Sequence, residues 1–374
     1  MPTIQIDALD TLFFRDSKTF TKGEDTWADT MFPPYPSVIY GALRSAYFAE
    51  NTSKLKDANI EGKDESLKLE INNICLKQGN ELYFPLPLDC VQEKTTNKKD
   101  KVFVLKANPI NNNISSNSPT NQILMKKDDT ETEKDNCQIE NPKQAIVGES
   151  ALEKYLKGTY EKAFSIKNQS DYISLEPKIG IARSRHTHTS DDGMLYRVGM
   201  NRMAKGFENK LSLIIAFEGL VLLEKGLIKM GGEGKAVKYE DLKDRQPDFT
   251  LSDEAKKKIQ ENKNFKLYLS TPAIFENGWL PSWINENSLK GIIPNTNTEV
   301  QLLTAAIGKP VSIGGWDIKR GCPKTMRKAV PAGSVYYFEL IEGNVEDLIK
   351  INSKSISDHN AKQGFGIAYV GAVK

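Results

Sequence analysis

The sequence predicts an α+β protein of two tandem ferredoxin-like (RRM-like) domains, the first carrying a long polar insertion. Three observations lead there. At 374 residues the chain exceeds one ordinary domain, and 39% hydrophobic with 27% charged residues is the composition of a chain that folds. Short alternating apolar runs of strand type are interleaved with segments of helical spacing along most of its length. Both halves close in the order helix, glycine loop, strand. That reads as an internal duplication with a boundary near residue 250, giving domains 1–250 and 251–374.

In chain order, TIQIDALDTLFFRD alternates at Ile4, Ile6 and Ala8, changes register at Leu9, and forms a first strand ending at Arg15 and Asp16. After the turn-rich FPPYP, Ser37 caps a helix over VIYGALRSAYFAE, with Ser37, Gly41, Arg44 and Phe48 along one side. NICLKQGNELYFPLPLDCV is a hairpin about Gly79 and Asn80. From about 91 to 143 the chain is Lys, Asn, Thr, Asp and Ser, broken only by VFVL at 102–105 and QILM at 122–125. Such a stretch is too poor in apolar residues to build a core, and the two tetrads can pair as a projecting hairpin. LSLIIAFEGLVLLEKGLIKM reads as a strand leading into a helix, stopped by Gly231-Gly232-Glu233-Gly234-Lys235 before the strand AVKYE.

The second half repeats the plan. FKLYLSTPAIFENGW is a strand, EVQLLTAAIG a short helix, KPVSIGGWDI and AGSVYYFELIEG strands, VEDLIKIN a helix, and QGFGIAYVGAV a loop and strand. This is the β-α-β-β-α-β order of many RNA-binding modules.

Composition excludes several classes. The longest apolar run, LSLIIAFEGLVLL, is too short for a bilayer and contains Glu218, so no membrane partner is expected. The amino-terminal MPTIQIDALD has no export signal, which makes the cytoplasm the expected compartment. Cys75, Cys90, Cys137 and Cys322 lack paired spacing and are expected to be reduced and structural. No metal and no cofactor is expected. Net charge is only +2, yet its distribution is uneven. Between Ala305 and Phe338 lie Lys309, Lys319, Arg320, Lys324, Arg327 and Lys328 against Asp317 alone; between Lys178 and Lys205 lie Lys178, Arg183, Arg185, Arg197, Arg202 and Lys205 against Asp191 and Asp192. One such window is commonly a solvated face, whereas two suit a polyanion, because a phosphate backbone needs a track of cations.

Several stretches, taken together and in order, resemble a known family: DTLFFRD at 10–16, FPPYPSVIYGALRSA at 32–46, GIARSRHTHTSDDGMLYRVGMNRM at 180–203, MGGEGKAV at 230–237, SIGGWDIKRGCPKTMRKAVPAGSVYYFEL at 312–340 and GFGIAYVG at 364–371. They resemble subunit three of the Cmr complex, the type III-B CRISPR effector, within the RAMP superfamily of tandem ferredoxin-like folds. The likeness covers nearly the whole chain apart from 91–143. It implies a cytoplasmic, non-catalytic subunit that holds the 5′ repeat-derived tag of the crRNA and docks on the large polymerase-like subunit. Backbone subunits would continue along the guide, and target RNA would be met only indirectly. In the family the turn before the first helix is typically proline-serine-proline-serine; here Tyr35 replaces the first serine, so no contact is carried over to position 35.

The RNA-binding candidates follow from chemistry and resemblance together. Ser37 and the first amides of its helix form an anion site; Gly41 leaves the same side bare, or only permits close packing, and Arg44 lies one turn on. Arg15 ends the first strand, where it meets a ligand or an internal partner. Gly231 and Gly232 with Lys235, and Gly364 with Gly366, let backbone amides approach a phosphate; the alternative for the last pair is a tight turn before an edge strand. Arg183, Arg185 and His186 lie in the second basic window, while Trp316 either stacks on a base or anchors a core, with Lys319, Arg320, Lys324 and Arg327 following the backbone. Two rivals remain. One is a metal-independent endoribonuclease that processes CRISPR repeat RNA, with His186 or His188 as general base; the other is a scaffold that touches proteins only.

Overall fold

A computed structural model describes residues 1–15, 27–94, 101–110, 118–126, 138–160, 163–184, 186–204, 206, 210–243, 247–317 and 321–374. The first half contains β1 (Thr3–Ala8), α1 (Pro36–Glu50), β2 (Glu70–Gln78), β3 (Glu81–Pro85), β4 (Ala145–Gly148), α2 (Glu149–Leu156), β5 (Ser174–Arg183), β6 (Ser190–Arg202), β7 (Leu211–Glu218), β8 (Lys225–Lys229) and β9 (Ala236–Asp241). The second contains α3 (Asp253–Asn262), β10 (Asn264–Leu269), β11 (Glu299–Ala306), β12 (Val335–Glu342), α4 (Val345–Ile351) and β13 (Ile367–Ala372). Shorter strands are named by residue below.

Two antiparallel sheets carry the molecule. The first runs Lys167–Asn168, β4, β3, β2, β7, β1, β9, β8; the second runs Lys290–Ile292, β11, β12, β10, β13, Lys354–Ser355. In the first, β1 is an interior strand between β7 and β9, with Ile4 opposite Ile215 and Ile6 opposite Tyr239. In the second, β10 is central, with Phe265 opposite Phe338 on one side and Ala372 on the other. Helix α1 packs its Ile39, Leu43 and Tyr47 onto Ile4, Ile6 and Leu213, while α3 and α4 place Ile259 and Leu348 in a core with Phe265 and Phe338. A third core lies between the two sheets. There Phe84 and Tyr369 each meet Phe249 edge-on, with ring centres 5.0 and 4.9 Å apart. Full burial of such rings contributes about 1.5–3 kcal/mol each, and the ring geometry about 0.5–1.5 kcal/mol per pair. Phe249 and Leu251 are both buried, so the chain crosses residue 250 inside packed structure.

Several expected elements differ. EVQLLTAAIG is strand β11, and LSLIIAFEGLVLLEKGLIKM is β7, an irregular link and β8, without a helix. The cause in β11 is that Leu302 enters the second core while Leu303 enters the third. A strand covered on both faces loses the alternation that marks a half-buried one. The second half therefore reads β10, β11, β12, α4, β13, with α3 ahead of it. Ser37 is not the cap of α1: Tyr35 occupies that position and Pro36 opens the helix, since its fixed φ suits a first turn. Nor do VFVL and QILM pair with each other. Lys101–Val104 joins Cys90–Glu93, and Gln122–Met125 joins Lys106–Pro109. Val102 is fully buried in the third core, so part of the polar stretch is anchored rather than loose.

Candidate nucleic-acid interface

The motif-bearing segments are far apart in sequence and joined by contacts in space. In the first half, Phe13 accepts a hydrogen bond from the Gly232 amide at 2.8 Å, and the backbones of Leu12 and Asn201 exchange two bonds of 2.7 Å. The buried Asn201 side chain then donates to the Thr30 hydroxyl at 3.0 Å and to the Met31 carbonyl at 3.1 Å. Two residues beyond the adjacent Phe32-Pro33 step, the Tyr35 hydroxyl donates to the Ser312 carbonyl at 3.0 Å. Tyr35 also packs with Ile313, Ala329 and Phe365, which brings the turn before α1, the basic segment of the second half and the last glycine loop to one place.

On this frame the sequence candidates separate. Trp316 is 58% exposed on a short strand paired with Cys322–Pro323, so it is a surface ring and not a core anchor. Lys324 and Arg327 beside it are exposed, as is Arg197 on β6. Arg183 and His186 lie at the turn end of the β5–β6 hairpin, where Arg183 Nη2 is 2.8 Å from His188 Nδ1. Gly41 is exposed, and a Cβ there would meet nothing within 4 Å, so close packing is not its reason for being glycine. Arg15 is exposed and bridges Thr30 through the backbone. Asp16, Cys137, Arg185, Lys205, Lys319 and Arg320 lie outside the described residues.

Other candidates serve the fold. Arg44 is held by Asp64 at 2.6 Å, Ser66 at 2.8 Å and Asn59 at 3.0 Å, a brace between α1 and the segment leading into β2. These bonds occupy three of the five guanidinium N–H groups, so Arg44 is committed first to the fold. In the first turn of α1, Pro36 has no N–H and the Val38 amide donates to Tyr35, so that turn presents at most the Ser37 amide. Lys235 pairs with Asp10 at 2.6 Å, and this ammonium holds the Asp10 carboxyl below its usual range. Gly231 and Gly232 lie against Phe13: a Cβ on Gly231 would come within 2.5 Å of the Phe13 carbonyl oxygen.

The last glycine loop corrects the expectation of a phosphate cradle. Gly364 and Gly366 are buried, and their amides already donate to Ala361 at 2.9 Å and Pro272 at 2.7 Å. Gly364 has φ +91° and faces Ile71 of β2; Gly366 has φ +69° and faces Ser357. The loop is a seam between the two sheets. Sequence reasoning misses Asn201 and Tyr35, the two side chains that join the segments, because their roles depend on contacts across 171 and 277 residues of chain.

Comparison with solved structures finds the same architecture in a chain of "Cryo-EM structure of the Type III-B Cmr-beta bound to cognate target RNA and AMPPnP, state 1". That match has 17% identity and a TM-score of 0.51, covering 93% of this chain and 88% of the other. A chain of "Cryo-EM structure of the Type III-B Cmr-beta bound to cognate target RNA" matches at 17% identity and TM-score 0.50, covering 90% and 86%. No match is found among curated proteins. These likenesses establish a shared fold, and the match to a family of CRISPR-associated proteins gives its class. More particularly, residues 4–373 match the family described as CRISPR-associated protein (Cas_Cmr3), and the chain belongs to that family.

Proposed function

We propose that this protein is a non-catalytic, cytoplasmic RNA-binding subunit of a type III-B CRISPR effector complex. It would hold the 5′ repeat-derived tag of the crRNA and dock on the large polymerase-like subunit, with the backbone subunits continuing along the guide. Each sheet contributes a four-strand unit with ferredoxin-like order: β9, β1, β7, β2 in the first and β13, β10, β12, β11 in the second. In this reading the two units are a tandem pair.

The observation that carries the proposal is the joining of separate motif segments into one frame, with Trp316, Lys324 and Arg327 exposed on its second-half segment and Arg197 exposed on β6, the strand that carries Asn201. A flat aromatic ring flanked by cations suits a single strand, which offers both stackable bases and phosphates. Membership of the family supports the assembly role.

The test is binding of labelled RNA with an intact or a scrambled 5′ tag, in EDTA, with and without the large subunit, followed by a denaturing gel. The proposal expects uncut RNA, preference for the tag, and a weaker salt dependence of binding in Lys324→Glu and Arg327→Glu, by about one unit of log–log slope for each phosphate no longer neutralised. Cut RNA would make His186 and His188 the acting groups. Affinity indifferent to both charge reversals would leave a protein scaffold instead.

A further inference from the structure

Between the two sheets, away from the motif frame, a cavity of about 240 Å³ is lined by Lys106, Asn108, Tyr160, Lys266, Tyr337 and Lys374, among others. Its wall joins the polar stretch of the first half to β10, β12 and the segment after β13. Lys266 is the unusual member. It is 1% exposed, and its ammonium lies 3.2 Å from the Tyr155 ring centre and 5.5 Å from that of Tyr160. Among the described residues it has neither a hydrogen-bond acceptor nor an ion-pair partner.

The Lys374 ammonium lies over the Tyr160 ring at 4.9 Å and donates to the Tyr160 carbonyl at 2.8 Å. Two ammonium groups therefore lie near one aromatic ring, and Lys106 adds a third charge at the wall. The compensating carboxylate is Asp89, fully buried and already accepting from the Tyr155 hydroxyl at 2.6 Å and from the Tyr337 hydroxyl. Among these side chains, three lysines face one buried carboxylate around a polar cavity.

We propose that this cavity is a binding site for a small dianion of the phosphate class, inorganic phosphate or a mononucleotide's phosphate group, held by Lys106, Lys266 and Lys374. Lysine binds phosphate as a compact point charge, and three lysines about a dianion satisfy each other where a carboxylate of charge −1 does not. The cavity falls below the roughly 300–1,000 Å³ of drug-sized pockets, which favours the phosphate as the recognised part. Asn108 and the Tyr160 ring are placed to meet whatever the phosphate carries. Burial holds the Lys266 amine down to about 8, a cost that a bound dianion would relieve.

The experiment uses the full chain, with thermal shift and calorimetry on inorganic phosphate, on AMP, and on sodium chloride at matched ionic strength. Variants are Lys106→Gln with Lys374→Gln, which keep the partly exposed stems, and separately Lys266→Met. The site predicts a saturable shift with phosphate or AMP, absent with chloride, and an affinity reduced at least tenfold in the Lys106→Gln, Lys374→Gln protein. Equal responses to both ligands identify the phosphate alone as the recognised group; a stronger response to AMP adds the nucleoside. A response unchanged in that double variant, or matched by chloride, overturns the proposal even if Lys266→Met fails to fold.

Discussion

At the residue scale, the buried Lys266–Asp89 region sets the most informative electrostatics. Burial is the main cause that lowers Lys266 from 10.5 to about 8, partly offset by the charge of Asp89. Because the folded value is depressed, the unfolded chain binds the extra proton between about pH 8 and 10.5. Stability contributed by this group therefore rises with pH across that window, by about 3 kcal/mol in all. Burial pushes the Cys90 thiol and the Tyr155 and Tyr337 hydroxyls upward, which acts in the opposite direction at high pH. The comparison of wild type with Lys266→Met cancels those shared contributions. Denaturant unfolding at pH 7.5 and 10 should show wild type gaining on the variant as pH rises; parallel curves would mean that Lys266 is not desolvated in solution.

At the element scale, the last glycine loop is expected to matter for stability before it matters for RNA. A side chain on Gly364 has φ +91° to overcome and Ile71 Cγ2 within 2.9 Å of its Cβ, so Gly364→Val should cost about 1–3 kcal/mol in urea unfolding. Unchanged stability with weakened tag binding would restore the phosphate-cradle reading. The loop also shows what is legible. Its glycines mark a backbone that needs positive φ, which the sequence does reveal; that the space beside them holds Ile71 depends on a strand almost 300 residues earlier, which it does not. Strands β1, β2, β10 and β13 and helix α4 are readable from apolar spacing and turn residues. Strands β7 and β11 are partly obscured because both of their faces are covered: Ile215 enters one core and Ile214 another. Val221 and Leu223, whose spacing suggests a helix, are exposed in the link after β7, so that spacing carries no burial. For the site, Trp316, Lys324 and Arg327 are legible as a basic segment with an aromatic, whereas the role of Arg44 is not, because Asp64 and Asn59 claim it only after folding.

At the scale of the molecule, the two sheets share a core rather than a linker. Phe249, Tyr268 and Tyr369 close it with Phe84 and Leu82 of the first sheet. A fragment of residues 251–374 would expose Tyr268, Tyr337 and Tyr369 to water, so it should express as an aggregate or a loosely folded chain, and the full protein should unfold in one cooperative transition. A soluble fragment with its own sharp transition would argue for independent domains. The same joined architecture underlies the proposed function, since the frame running from Phe13 through Asn201 and Tyr35 to Phe365 needs both halves in place. The measurement that reaches this most directly is ultraviolet cross-linking of the protein, assembled with the proposed large-subunit partner, to crRNA labelled in the 5′ tag, with the linked peptides read by mass spectrometry. The account predicts cross-links at Trp316, in residues 321–328 and on β6 near Arg197, and their loss when the tag is scrambled. Cross-links confined to other surfaces, or indifferent to the tag sequence, would contradict it.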